Sequence, residues 1–329
     1  MFDIAIGLFL FKRTSGLDPI IGQLRKIKPS RVYLIADGPR NEEERDACLH
    51  CRKTAEDLID WDCEVIKDYA ETNRGVYNNI GGGALRVFEH EDRAIFLEDD
   101  NYPEITFFDY CKQLLDKYAE EEKVLWICGT NYMSKSNMES SYVFTQHLLP
   151  CGWASWADKF RNYYDGELLG LKDKEKVDTF KASFLNRALY KQQLHSVERT
   201  KYLLDKDKRQ SSWDYQMLFS VRANGMYGIA PKYNQIKNIG ADELSTHGGV
   251  TMNNIMTSRF CLVDTAPLEF PLVAPKTIGI DKSFEIETGK TILYPLKGRM
   301  KVFTGRVLKK LLGINKNESL SLLIKKKNN

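Results

Sequence analysis

The chain has 329 residues, of which 43% are hydrophobic, enough to bury a sizeable core as one large domain or two packed halves. Its 48 lysines and arginines nearly balance 45 aspartates and glutamates, so no nucleic acid is expected as a partner. The start "MFDIAIGLFLFKR" is broken by charges, and no run reaches the roughly 18 apolar residues of a membrane span. These features predict a cytoplasmic globular protein.

Strand-like and helix-like segments alternate through the first 130 residues. The pattern predicts strands at 2–11, 31–39, 62–69 and 93–100, and helices at 17–27, 42–59 and 76–90. Such alternation predicts an α/β fold with a doubly wound, mostly parallel sheet. Ligands of these sheets gather at the carboxyl ends of the strands, so residues that follow strands are the first candidates for a site.

Two short motifs look like known sites but are interpreted as structural. Cys48 and Cys51 flank His50 in "CLHC", yet no second ligand pair completes a metal or redox motif, which favours a coincidence on one helix face. The seven cysteines are expected to be reduced. Gly81-Gly82-Gly83 matches neither a Walker loop nor a dinucleotide-binding fingerprint, so it predicts close packing or a helix irregularity.

Carboxylates follow two of the predicted strands. Glu98, Asp99 and Asp100 end the fourth strand, and Asp37 ends the second in "LIADGP". Clustered carboxylates repel one another unless a cation or a hydrogen-bonding ligand offsets the charge. Mg²⁺ or Mn²⁺, held by one or two carboxylates and completed by phosphate oxygens, would suit a nucleotide diphosphate. A second interpretation is that the triplet forms a solvated turn that caps the helix near Pro103.

The order of motifs resembles that of glycosyltransferases of the GT-A fold. It comprises a "DG" turn, "NRG", an apolar strand ending in "EDD", and "FFDYCKQLL", and is closest to the N-acetylglucosaminyltransferase I type. "PCGWASW", "SSWDYQML" and "NIGADELSTHGG" are similar to acceptor-side segments of bacterial surface-glycan transferases. The resemblance implies a nucleotide-sugar-binding half at 1–130 and an acceptor-binding, catalytic half at 131–269.

The same resemblance implies roles for individual residues. Asp100 would bind the divalent metal that bridges the donor diphosphate, while Glu98 and Asp99 would meet the ribose or orient the metal shell. Asp37 would accept a hydrogen bond from the nucleobase or ribose. Arg74 would contact the diphosphate, because a guanidinium matches phosphate oxygens; the alternative is a surface arginine in a turn.

Asp214 in "SWDYQM" is the candidate catalytic base. An inverting sugar transfer needs a carboxylate that removes the acceptor proton while the acceptor oxygen attacks the anomeric carbon. The resembling family has a base aspartate in a similar context, and Trp213 and Tyr215 would desolvate the carboxylate and stack on a sugar. The alternative is an aspartate that caps the following helix.

A late loop supplies a second metal candidate, His247 in "LSTHGG". In many GT-A enzymes a histidine from such a loop completes the metal shell or contacts the diphosphate; a structural histidine is the alternative. Asp242 and Glu243 would bind the acceptor or remain solvated. Trp153 and Trp156 would form either an acceptor-stacking wall or part of the core.

Residues 270–329 are expected to form a linker and a basic amphipathic C-terminal extension. "LKGRMKVFTGRVLKKLL" places apolar residues at near-helical spacing beside lysines and arginines. Such a helix can lie on an anionic membrane surface, where a lipid-linked sugar acceptor would be presented. The alternative is a helix that packs its apolar stripe on the body of the protein and leaves its lysines in water.

The sequence thus predicts a metal-dependent glycosyltransferase of bacterial surface-glycan synthesis, cytoplasmic or peripheral on the inner face of the plasma membrane. It would move a sugar from a nucleotide donor, UDP-linked by the resemblance, to a glycan or glycolipid hydroxyl with inversion. A sugar-1-phosphate nucleotidyltransferase is the first alternative, although "FLFKRTSGLDP" lacks the glycine-rich, arginine-containing loop expected after its first strand. A non-catalytic carbohydrate-binding protein is the second.

Overall fold

The computed structural model describes residues 1–133, 138–241 and 255–318. In these ranges the strands are β1 (Ala5–Leu10), β2 (Arg31–Ala36), β3 (Glu64–Tyr69), β4 (Arg93–Glu98), β5 (Asn101–Pro103), β6 (Val124–Cys128), β7 (Tyr142–Thr145), β8 (Trp153–Trp156), β9 (Tyr227–Pro231) and β10 (Ile236–Asn238). The helices there are α1 (Leu17–Ile27), α2 (Arg45–Leu58), α3 (Gly82–Val87), α4 (Thr106–Lys117), α5 (Ala157–Tyr163), α6 (Lys174–Ala182), α7 (Arg187–Lys206), α8 (Asp214–Ala223), α9 (Ile255–Phe260), α10 (Lys282–Ile292) and α11 (Leu296–Leu311).

One sheet of eight strands forms the centre of the fold, in the order β3-β2-β1-β4-β8-β6-β9-β7. β3, β2, β1 and β4 pair in parallel, as do β6 and β9. β8 runs antiparallel to β4 and β6, and β7 runs antiparallel to β9. The predicted α/β fold with a mostly parallel sheet is therefore confirmed. Strands from both sides of residue 130 share this sheet, and the division into halves stays a prediction.

Local sequence explains the elements of the first 130 residues, which follow the predicted order. α1 has the predicted bounds: Pro19 lies in its first turn, where a missing N–H costs little, and the spaced apolar residues Ile20, Ile21 and Leu24 are buried. The three glycines lie where a π-helical turn at 77–81 passes into α3, which confirms the predicted helix irregularity. Cys48 and Cys51 are buried on one face of α2 as free thiols, as expected.

Alternating side chains of the central strands supply two cores, one on each face of the sheet. Ile95 and Leu97 of β4 pack on the side of α1 and α4, whereas Ala94 and Phe96 pack on the side of α3 and α5. On the second side, rings from adjacent strands stack in the order Phe9, Phe96, Trp153 and Trp126, with centroid separations of 5.6, 4.2 and 4.2 Å. Trp153 and Trp156 are both buried, so of the two interpretations of these tryptophans the core one is correct.

The chain after residue 270 is tied to β7. Ser141 N donates to Val273 O at 2.8 Å and Asp281 N donates to Phe144 O at 2.9 Å, so the predicted linker runs as an extended strap along this strand. α10 follows the strap. Within the described ranges, no helix combines the length and the apolarity needed to cross a bilayer.

A buried ion pair joins α10 to α8. Arg222 Nη2 donates to Glu285 Oε1 at 2.8 Å, and both side chains are almost completely buried. Thr145 Oγ1 donates to Glu285 Oε2 at 2.7 Å. Burial opposes ionisation of Glu285, but contacts with His147 and Arg222 hold the pKa of its carboxyl below the ordinary value. The C-terminal strap and α10 are thereby fixed to the helix that begins at Asp214.

We predict that Glu285→Ala lowers the free energy of unfolding by about 3–5 kcal/mol, because Arg222 would stay buried without its counter-charge. Urea denaturation followed by far-UV circular dichroism measures this change. Glu287→Ala is the matched control: Glu287 is exposed on the same helix and pairs with exposed Lys290, so about 0.5 kcal/mol or less is expected. Equal effects of the two substitutions would contradict the assigned role of the pair.

Candidate functional site

Carboxylates from two distant parts of the chain come within electrostatic range at the carboxyl end of β4. Glu98 is the last residue of β4, Asp99 and Asp100 form the turn after it, and Asp214 is the first residue of α8. Burial, followed by the charges of Asp100, Asp99 and Asp214, raises the pKa of Glu98 well above its ordinary value. The structure therefore brings the predicted acidic triplet and the predicted base into one electrostatic cluster.

The triplet leads into a strand and not into a helix. β5 begins at Asn101, directly after the triplet, and pairs antiparallel with β10. Ile239 N, just beyond β10, donates to the backbone oxygen of Asp100 at 2.8 Å. α4 begins only at Thr106. The interpretation of the triplet as a helix cap is therefore wrong, because a strand separates the carboxylates from the helix.

A cation that the sequence analysis missed lies beside Asp100. Arg13 Nη1 donates to Asp100 Oδ2 at 3.1 Å, and Asn101 Nδ2 donates to Asp100 Oδ1 at 2.6 Å. The Arg13 side chain is 7% exposed and that of Asp100 is 23% exposed. Burial raises the pKa of Asp100 even though the Arg13 guanidinium opposes this shift. Arg13 follows β1, so the strand-end rule that selected Asp37 would also have selected it.

Gly240, at the start of the segment that leads to His247, lies against the Arg13–Asp100 ion pair. A Cβ atom on Gly240 would lie 2.1 Å from Asp100 Oδ2 and 2.6 Å from Arg13 Nη1, so the lack of a side chain lets the backbone pass this close. His247 itself, with Asp242 and Glu243, lies outside the described residues.

Asp37 holds the turn formed by residues 73–75. Its Oδ1 accepts from Gly38 N at 2.8 Å and Arg74 N at 2.7 Å, and its Oδ2 accepts from Asn73 Nδ2 at 2.9 Å and Gly75 N at 3.1 Å. Burial raises the pKa of Asp37, although the N–H groups of Arg74 and Gly38 oppose this. The carboxylate thus frames this turn, and its predicted contact with a nucleobase or ribose stays a prediction.

The Arg74 side chain also helps to hold the turn 73–75 against β2 and β3. Its Nη1 donates to Asp68 Oδ1 at 3.0 Å, and its Nη2 donates to Ala36 O at 3.2 Å. The guanidinium is about one-fifth exposed and lies at the carboxyl end of β2. Its predicted contact with a diphosphate stays a prediction.

Gly75 connects this turn to the segment before Asp214. It has a φ of +77°, and a Cβ atom there would lie 2.5 Å from the Cα of Arg209. Arg209 belongs to a short 3₁₀ turn, Lys208–Gln210, that leads toward α8. The turn held by Asp37 and the approach to the predicted base are therefore in direct contact.

The surroundings of Asp214 exclude the capping interpretation, and its role as a base stays a prediction. The N-cap of α8 is Trp213, so Asp214 is not at the capping position. Ser212 Oγ donates to Asp214 Oδ1. The ring of Trp213 is buried against Trp153, with centroids 5.6 Å apart, and belongs to the core instead of being available to stack on a sugar.

Three tyrosines lie near Asp214, and two of them, Tyr132 and Tyr164, were not singled out from the sequence. Burial raises the pKa of Tyr132 and of Tyr164 well above the ordinary value, and the charge of Asp214 contributes to both shifts. Tyr215 shows the same combination of burial and the Asp214 charge. Phenol groups in such positions can donate to a carboxylate or to a sugar hydroxyl.

The carboxylates present suit a metal site in which the protein supplies only one or two ligands. Among residues 1–133, 138–241 and 255–318, no group of three or more His, Cys, Asp or Glu side chains is arranged to hold a metal ion. Mg²⁺ and its analogues often use one or two carboxylates and complete their shell with substrate phosphates. Asp100, partly exposed at the cluster, fits such a site, and an incoming cation would compete with Arg13 for its carboxylate.

Comparison with known proteins places the chain in no family. No protein-family model and no curated protein matches it. HddC from Yersinia pseudotuberculosis, complexed with GMP-PN, has 11% identity and a TM-score of 0.30, over 52% of this chain and 86% of that one. UDP-glucose pyrophosphorylase has 8% identity and a TM-score of 0.35 as the apo protein, over 71% of this chain and 93% of that one. Its complex with UDP-glucose has 9% identity and a TM-score of 0.35, over 72% and 93%. Likenesses at this level carry no functional argument.

We predict that Gly75→Ala lowers the free energy of unfolding by about 1–3 kcal/mol, because a side chain there opposes the left-handed φ and meets the Arg209 backbone. Chemical denaturation measures the change. Gly22→Ala in α1 is the control, since its Cβ atom would meet nothing within 4 Å and alanine favours a helix. A Gly75→Ala protein as stable as Gly22→Ala would show that the two segments are not in the contact described.

Proposed function

We propose that this protein is a metal-dependent glycosyltransferase of the GT-A type. It would transfer a sugar from a nucleotide donor, with UDP as the leading candidate, to a hydroxyl of a glycan or glycolipid with inversion. The observation that carries the proposal is that the charge of Asp214 acts on Glu98, in the triplet Glu98-Asp99-Asp100 at the carboxyl end of β4. The ordered motifs that resemble GT-A enzymes support it.

Asp100 is assigned to the divalent cation, Mn²⁺ or Mg²⁺, with His247 as the second protein ligand. When bound, the metal would supply charge neutralisation for the departing diphosphate. Arg13 would then leave Asp100 and donate to phosphate oxygens, since a guanidinium binds such groups well. Glu98 and Asp99 would orient this shell or bind the ribose.

Asp214 is assigned as the general base. Ser212 donates to one of its oxygens and so orients the carboxylate. The acceptor hydroxyl would donate its proton to Asp214 as its oxygen attacks the anomeric carbon. Nearby Tyr132 and Tyr164 would limit water and hold sugar hydroxyls.

Asp37 and Arg74 are assigned to the nucleoside side of the site. The Asp37 carboxylate fixes the turn 73–75 by accepting from three donors of that turn, and the Arg74 side chain ties the turn to Asp68 and Ala36. A nucleotide would bind against this preformed turn, so the two residues would act partly by holding its backbone in place. Their direct contacts with base, ribose or diphosphate belong to the same proposal.

A sugar-1-phosphate nucleotidyltransferase is the second candidate, and the position of Arg13 favours it. Such an enzyme is expected to carry a glycine-rich, arginine-containing loop after its first strand. The loop here is not glycine-rich, but it does place Arg13 beside Asp100. The two activities differ in their products, because sugar transfer releases a nucleoside diphosphate and nucleotidyl transfer releases pyrophosphate.

We predict that the wild-type protein with Mn²⁺ releases UDP from a UDP-sugar, slowly to water and faster with an acceptor glycan. Asp214→Asn should keep nucleotide binding, measured as a thermal shift, but lower UDP release by about 10²- to 10⁴-fold, because only the base is lost. Asp100→Asn should lose both the Mn²⁺-dependent shift and turnover. UDP release is measured with a coupled assay.

The control is Asp205→Asn, an exposed carboxylate of α7 that pairs with Lys201 and lies outside the cluster, for which no change is expected. Pyrophosphate release from UTP and a sugar 1-phosphate, without UDP release from any donor, would replace the proposal by the nucleotidyltransferase. Nucleotide binding without either product would indicate a non-catalytic binding protein.

A further inference from the structure

The C-terminal helix α11 turns its apolar side to water. Leu296, Met300, Phe303, Val307 and Leu311 recur every three or four residues and so form one stripe along the helix. Their exposed fractions are 64%, 59%, 67%, 43% and 78%. All sixteen residues of α11 are described and none is buried. The alternative in which this stripe packs on the body of the protein is therefore wrong.

The opposite side of α11 faces the body. Gly298, Arg299, Gly305, Arg306 and Lys309 are partly covered. Helical geometry places Gly298, Gly305 and Lys309 opposite the apolar stripe, and Arg299 and Arg306 between the two sides. The Nε atoms of Arg299 and Arg306 are buried. Burial, with the charges of Arg306 and Lys309, lowers the pKa of His195 on α7 to about 4. The partly covered side of the helix thus carries mainly glycine and basic residues, with Val302 among them, and the apolar stripe points outward.

Contacts after the helix hold this orientation. Lys316 Nζ donates to Glu198 Oε2 at 2.5 Å, and Lys206 Nζ donates to Glu318 Oε2 at 2.9 Å. Tyr202 also donates to Glu318. Glu198, Tyr202 and Lys206 all belong to α7, so the end of α11 is tied to that helix while the stripe stays exposed.

Positive charge flanks the stripe. α11 contains six lysines and arginines and no aspartate or glutamate. Lys297 and Lys301 are exposed along one border of the stripe, and Lys310 is exposed along the other. An apolar strip with lysines on both borders is the pattern of helices that lie in the interface plane of a bilayer.

We propose that α11 is a docking face for an anionic lipid bilayer. The stripe would enter the boundary between headgroups and acyl chains, and the flanking lysines would reach the lipid phosphates. The proposal does not depend on the proposed activity, since it rests on contacts of α11 and α7 alone.

The positive charge of α11 disfavours two other groups that could cover its apolar stripe, a second copy of the chain and the chain's own last residues. A second copy would bring another helix with six positive charges and no negative ones, so the two faces would repel. The chain segment 319–329 carries Lys325, Lys326 and Lys327 and would likewise add positive charge. An anionic surface is the partner that complements both the apolar and the basic side chains.

The test is co-sedimentation of the full chain with vesicles of phosphatidylcholine, with or without about 30% phosphatidylglycerol. We predict binding to the anionic vesicles only, weakening as salt rises. Lys297→Gln with Lys301→Gln should weaken binding about thirty-fold, from roughly a fivefold loss per lysine. Phe303→Ser with Leu311→Ser should weaken it about a hundred-fold, because two large apolar side chains no longer enter the interface.

Leu49→Ser is the matched control, since Leu49 is 52% exposed on α2 and far from α11 in sequence; its binding should equal that of the wild type. Unchanged circular dichroism checks that each variant is folded. No binding to anionic vesicles, or equal binding by Phe303→Ser with Leu311→Ser, would overturn the proposal. A dimer of the wild type that Phe303→Ser with Leu311→Ser dissociates would also overturn it, because a second copy would then cover the stripe. So would tighter vesicle binding, by at least about tenfold, of a chain ending at residue 318, because residues 319–329 would then cover the stripe.

Discussion

Repulsion among carboxylates at the carboxyl end of β4 is the constraint around which the site is organised. Glu98 is pushed toward its protonated form by burial and by three neighbouring acids, among them Asp214 from the far part of the chain. Arg13 offsets part of this charge through its ion pair with Asp100. In the proposed function an external cation would take the place of Arg13 at this partly exposed carboxylate.

The fold around the cluster is built to resist this repulsion. Stacked rings beneath it, from Phe9 to Trp126, support neighbouring strands on one face of the sheet. The β5–β10 pair holds the backbone immediately after Asp100. The buried pair Arg222–Glu285 fixes α8 to α10, so the chain after residue 270 helps to position the helix that starts at Asp214. The carboxylates that repel one another thus lie at the ends of strands and of a helix that these contacts hold in place.

Much of the fold could be predicted because it is encoded locally. Apolar runs such as 93–97 read directly as strands, and the strand-end rule placed Asp37 and the triplet at one edge. Arg13 was missed although it follows β1, because the strand-end rule was applied to carboxylates alone and its partner is 87 residues away. The glycine run 81–83 indicated a helix irregularity but not its form, a π-helical turn at 77–81. The outward direction of the α11 stripe was not readable, since periodicity defines an apolar face but not what that face meets.

The central claim is that Asp100 binds a divalent cation together with a nucleotide diphosphate, and the electron paramagnetic resonance signal of free Mn²⁺ tests it most directly. Mn²⁺ added to the protein alone should stay largely free, because Arg13 competes for Asp100. Addition of UDP should remove the free signal in the wild type and in Asp205→Asn, but not in Asp100→Asn. A signal that neither UDP nor any other nucleotide diphosphate alters, or equal Mn²⁺ binding by Asp100→Asn, would contradict the account.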